Sequence, residues 1–116
     1  MSASLSAADS VEDLLQAVRV DGHRRILAEA LRARPSALEG LWGAIEMLGD
    51  ARWSGLSPVL GLFADPEGAG QQLYLTLVSA EPIDEAIARV AGFRLAWRQR
   101  CGAERTQGIA VAADTQ

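Results

Sequence analysis

The chain contains no lysine and no asparagine, and every one of its basic side chains is arginine. Both missing residues use A/T-rich codons, so a high-GC bacterial genome accounts for the pair without any functional reason. The absence of lysine has one chemical consequence. A phosphate-cradling loop of the Gly-Lys-Ser/Thr kind is excluded. The single cysteine, Cys101, excludes an internal disulfide and argues against a small oxidised scaffold. The single histidine, His23, has no second histidine or neighbouring cysteine to give metal-ligand spacing. No window approaches the roughly 18 apolar residues of a membrane span. The start, MSASLSAADS, has neither a basic nor an apolar leader region, so a cytoplasmic protein is expected.

What is present is ordinary in bulk and uneven in detail. The 116 residues suit one domain, and the fractions of hydrophobic (49%) and charged (22%) residues are those of a soluble globular protein. The net charge of -4 disfavours nucleic acid, because phosphate neutralisation needs a basic face. Yet residues 89–105 hold five arginines and one acid, a local positive patch on an acidic protein.

Hydrophobic spacing predicts three helices in the first half. Ser10 and Asp13 precede Val11, Leu14, Leu15 and Val18 in a capping-box pattern, giving a helix over about 10–19. A second stripe, from Val20 through Ile26 and Leu27 to Leu31, is rotated by about 140° from the first at 100° per residue. One continuous helix could not bury both, so Asp21-Gly22 is read as a break before a helix at 22–33. Pro35-Ser36-Ala37-Leu38-Glu39 reads as a reciprocal capping box, followed by Leu41, Trp42, Ile45 and Leu48 and stopped by Gly49, for a helix at 37–48.

The second half changes period. Residues 50–58 read as a loop; Val59–Ala64 and Gln72–Val78 read as strands, the latter with one buried face. Between them Asp65-Pro66-Glu67-Gly68 predicts a tight hairpin turn rather than a phosphate loop. The rival is a helix started by Asp65 and Pro66, which Gly68 and Gly70 oppose at about 1 kcal/mol each. A last helix is expected over 82–100, with Asp84 and Glu85 in its first turn and arginines in its last, and an apolar arc of Ile83, Ala86, Ile87, Val90, Phe93 and Trp97. Gly102 ends it, and Gly108–Ala113 is either an added strand or loose tail.

The expectation is an α+β fold: three N-terminal helices, a β-hairpin, a long C-terminal helix and an optional final strand, with an all-α bundle as the alternative. The organisation is a flexible leader at 1–8, one globular domain at 9–101 and a tail at 102–116. Two strands alone are marginal, so the tail or a second subunit should complete the sheet.

No constellation of catalytic, cofactor-binding or metal-binding residues emerges. His23 falls on the Leu27 and Leu31 side of its helix, as a partly buried structural histidine would. A Cys101–His23 pair lacks a third orienting group. Asp84 and Glu85 serve the helix dipole. The 22–48 segment has a helix-turn-helix outline, but its second helix offers Glu39 and Glu46 where base recognition needs arginine, asparagine or glutamine. The last helix is different: Arg94 lies between Ile87 and Val90 on its wheel, and Arg98 flanks it. A charge there must snorkel, pair with an acid such as Glu39 or Glu46, or face another chain. Arg94, Trp97 and Arg98, with Trp53 as a second anchor, are the candidate interface residues. The sequence therefore points to a non-catalytic protein–protein interaction protein (an adaptor, accessory subunit or small acidic chaperone) that forms a homo-oligomer or binds a protein partner. A DNA-binding regulator, or a small ligand-binding domain or enzyme, is the alternative.

Overall fold

A computed structural model describes residues 7–64 and 71–116. Elements follow in the order α1 (Ala7–Ala17), β1 (Arg19–Asp21), α2 (Arg24–Arg32), α3 (Pro35–Leu48), a 3-10 turn (Ala51–Trp53), β2 (Ser57–Ala64), β3 (Gln71–Ser79), α4 (Ile83–Cys101), α5 (Ala103–Thr106) and β4 (Ile109–Thr115). The fold is α+β. The strands form one sheet in the order β1-β2-β3-β4, with β2 and β3 antiparallel and both outer pairs parallel.

The register explains the core. Successive strand residues point to opposite faces, so Leu60 and Leu62 of β2 share a face with Leu73, Leu75 and Leu77 of β3 and with Ile109, Val111 and Ala113 of β4. The β3 leucines are fully buried. Helices cover that face: Ala86, Val90, Phe93 and Trp97 of α4 are buried, as are Leu14 and Leu15 of α1, Leu27 and Leu31 of α2, and Leu38, Leu41 and Met47 of α3. All of these helix residues except Ala86 form one cluster with the buried strand leucines.

Several expectations need correcting. The phase jump at Asp21-Gly22 is a break, and Gly22 adopts φ +102°, which only glycine takes without strain. A three-residue strand, β1, begins at Arg19, where the first helix was expected to end, and fills the gap before the second. Ser10 lies inside α1 rather than capping it, since the helix already runs from Ala7. At α3 the N-cap is Arg34, with Pro35 at the first turn where a missing amide goes unused; no side chain caps the helix, and Glu39 instead bonds Arg105 at 2.8 Å. His23 is exposed at the N-cap of α2 rather than partly buried. The Asp65–Gly68 turn lies outside the described residues, but Ala64 pairs with Gln71, so β2 and β3 are joined as a hairpin and the helix reading of this stretch fails.

The tail is part of the fold. Gly102, at φ +88°, ends α4; one helical turn follows, and β4 then pairs along β3 from Leu73↔Ile109 to Ser79↔Thr115. The 102–116 segment therefore belongs to the same sheet and core as the rest.

A polar cluster ties the loop before β2 to the start of α4. The Arg89 guanidinium donates to a Glu81 carboxylate oxygen and to the carbonyls of Arg52 and Ser54, both at 3.0 Å. The buried Ser79 hydroxyl donates to the same carboxylate. The Arg89 hydrogen bond holds the Glu81 carboxyl below its ordinary value of 4.5, against a smaller opposing effect of desolvation. A lowered folded-state value means that this stabilisation is present above pH 4.5 and is lost as the pH falls through the folded-state value. Glu81→Gln should therefore lower stability at neutral pH and flatten its dependence on pH below that point. Parallel acid-denaturation curves for the two proteins would refute the role given to Arg89.

Candidate interaction surfaces

Alternation along the strands defines a second face. It carries Arg19 and Asp21 of β1, Val59, Gly61 and Phe63 of β2, Tyr74, Thr76 and Val78 of β3, and Ala110, Ala112 and Asp114 of β4. Among the described residues no helix covers it. Tyr74, Thr76, Val59 and Val78 are half-buried. Phe63 is 61% exposed and meets Tyr74 edge-to-face, with centroids 4.9 Å apart. At the far end a concavity of about 1010 Å³ has Val59, Thr76 and Val78 in its floor and Arg19, Asp21 and Asp114 around it. The face thus has an apolar, aromatic middle and charges of both signs at its margins.

The second surface lies where α4 meets the edge of the sheet. Ile83, Ile87 and Leu95 are 46%, 53% and 61% exposed. A dent of about 270 Å³ is lined by Ile87, Val90, Ala91 and Arg94 of α4 and by Val111 and Ala113 of β4. Helix flank and strand edge are therefore one continuous surface.

The candidate interface residues fall into two groups. Arg94 and Arg98 are exposed on this flank. The acids suggested as partners for Arg94 are engaged elsewhere: Glu46 bonds Arg100 at 2.7 Å and Glu39 bonds Arg105. Among the described residues Arg94 and Arg98 form no ion pair. Trp97, by contrast, is fully buried, and its indole N–H donates to the Gly40 carbonyl of α3 at 2.7 Å. Trp53 is also core: its ring meets Phe93 edge-to-face at 5.3 Å, under the Arg52 guanidinium. Neither tryptophan is available to another chain. Periodicity could not separate Trp97 from Arg94, because both sides of an amphipathic boundary share the helical repeat.

The two reactive side chains, Cys101 and His23, lie in separate places. Cys101 sits in the seam between α3 and α4 with Trp42, Gly43 and Arg105, and burial pushes its thiol above the ordinary range. His23 belongs to a separate dent with Asp21, Ile26 and Leu62. Among the described residues there is no group of three or more His, Cys, Asp or Glu placed to hold a metal. No helix in the described residues is long and apolar enough to cross a membrane. The uncovered face was half legible, because the alternation predicted one buried face for β3 and left Gln72, Tyr74, Thr76 and Val78 on the other. Family models, curated proteins and solved structures were compared with this chain, and none matches it.

Proposed function

We propose that this chain is a non-catalytic interaction protein, an adaptor or accessory subunit acting in the cytoplasm, and that its uncovered sheet face receives an amphipathic helix of a partner protein. One observation carries the reading. Both outer strand pairs are parallel, yet among the described residues helices cover only one face of the sheet. All-parallel sheets have both faces buried by their crossover helices. In this mixed sheet the helices of the parallel connections pack on one face, which leaves the other for a partner to cover. A helix laid across β2 and β3 would place its apolar stripe on Val59, Phe63, Tyr74 and Val78 and its polar flanks near Arg19, Asp21 and Asp114. Aromatic side chains with apolar neighbours and a charged margin make up the usual anatomy of a protein interface.

The DNA-binding alternative draws no support from α2 and α3. Glu39 and Glu46 lie on the outer side of α3, and each neutralises an arginine of this same chain.

The test is co-purification from the native cell with two variants as controls. The wild type should carry one partner in stoichiometric amount. Tyr74→Arg should lose it while keeping its melting temperature within a few degrees, because Tyr74 lies outside the core cluster. Leu95→Arg, on α4, should keep it. Retention of the partner by Tyr74→Arg, or a wild type that carries none, overturns the reading.

A further inference from the structure

The strand β4 is a long edge strand protected only at its end, where the Asp114 carboxylate accepts from the Thr115 amide at 2.8 Å. Among the described residues its outer side has no neighbour in the sheet. It has no proline and no charge before Asp114. Natural edge strands avoid self-pairing by being short, charged or bulged. The other edge, β1, is only three residues long, but β4 has seven.

We infer that β4 pairs antiparallel with β4 of a second copy of this chain, while the exposed flank of α4 packs against its symmetry mate. The hydrogen-bonding parity allows it. Gln116 donates its amide to Ser79 of β3, so even-numbered residues of this strand bond inward. Alternation then turns the amides and carbonyls of Val111 and Ala113 outward. A two-fold axis at Ala112 sets Val111 against Ala113 of the second copy and makes eight continuous strands.

The same axis suits the helix. The dent between α4 and β4 is lined by Ile87, Val90, Ala91 and Arg94 of the helix and by Val111 and Ala113, the two residues that flank Ala112 in the strand. A two-fold axis through Ala91 sets Ile87 opposite Leu95 of the second copy. It also sets Asp84 opposite the second copy's Arg98. Acids occupy the first turn of α4 and arginines the last, so two antiparallel copies match acid to arginine at both ends. Opposed helix dipoles add in the same sense. Apolar side chains that are exposed in one chain, and an arginine with no acid partner among the described residues, are thereby covered together.

This inference does not rest on the partner-helix reading, since it uses the strand edge and helix flank and leaves the open face free. Its measurement is the mass in solution, with no partner protein present. In a Cys101→Ser background, Ala112→Cys should form a symmetric interchain disulfide on mild oxidation, because the two Ala112 Cα atoms would lie within bridging distance. Ala110→Cys should not, since its neighbour would be Asp114. Arg98→Asp should raise the dimer dissociation constant by about tenfold or more, and adding Asp84→Arg should restore it. Ala113→Pro, which removes only an outward amide, should give a monomer; if it fails to fold, the charge-swap pair still decides. A wild type that sediments as a monomer up to millimolar concentration overturns the proposal, as does cross-linking of Ala110→Cys as efficient as that of Ala112→Cys.

Discussion

Gly40→Ala should lower the stability of the fold by about 2–3 kcal/mol, the cost of forcing a methyl group into filled space. An ideal Cβ at Gly40 would overlap the carbonyl oxygen of Arg105, which is backbone and cannot turn aside as a side chain would. Helix propensity predicts the opposite sign: glycine to alanine inside a helix gains about 1 kcal/mol. The steric effect should win because relief requires α5 to move, and α5 leads directly into β4. Urea denaturation reads the difference as a lowered midpoint at unchanged slope. Gly43→Ala provides a graded comparison. Its Cβ would lie 2.5 Å from the Cys101 sulfur, the end of a side chain that can rotate, so its loss should be smaller. A neutral or stabilising Gly40→Ala would mean that α3 and α5 do not touch as described.

Trp97→Ala should have the largest effect of any single substitution, about 3–5 kcal/mol for a fully buried large aromatic. The side chain joins α4 to α3 in two ways, by the volume it fills and by its bond to the Gly40 carbonyl. Trp97→Phe separates them. It keeps most of the apolar contact and removes the donor, so it should cost about 1–2 kcal/mol, near the net value of one hydrogen bond plus a small void. Equal losses for alanine and phenylalanine would show that the hydrogen bond, and not the volume, dominates. Because a typical domain has only about 5–15 kcal/mol in total, Trp97→Ala could leave a large unfolded fraction at room temperature.

The helices with strong stripes were legible in the sequence. Helices α3 and α4 lie close to their expected bounds, and the period-two pattern in β3 identified its buried leucines. The strand β1 was not legible, because three residues are too few to show a period and Val20 also fits a helical stripe. Position relative to the core was the other gap. Ile83 and Ile87 continue the α4 repeat but lie beyond the boundary where the sheet ends, so they are exposed. The wheel therefore placed Arg94 correctly beside Ile87 but assigned the whole arc to one environment. The bond from Trp97 to Gly40 has no sequence signal, because it joins residues from two helices through a main-chain oxygen. Capping was misread at α3 for a related reason. Glu39 had an attractive local partner in Ser36, but Arg105 on α5 took it instead.

The sheet combines one local pairing with two distant ones, and this bears on the order of its assembly. Strands β2 and β3 are neighbours in the chain, whereas Arg19 meets Val59 and Leu73 meets Ile109 only across intervening helices. Loop-closure entropy favours the hairpin first and both outer strands later. A two-stranded ribbon is marginal in water, so Leu73, Leu75 and Leu77 wait exposed until α4 folds back over them. During that interval the side of β3 that will receive β4 is itself an open edge. The chain's own last strand must then reach it before a strand from another folding molecule does.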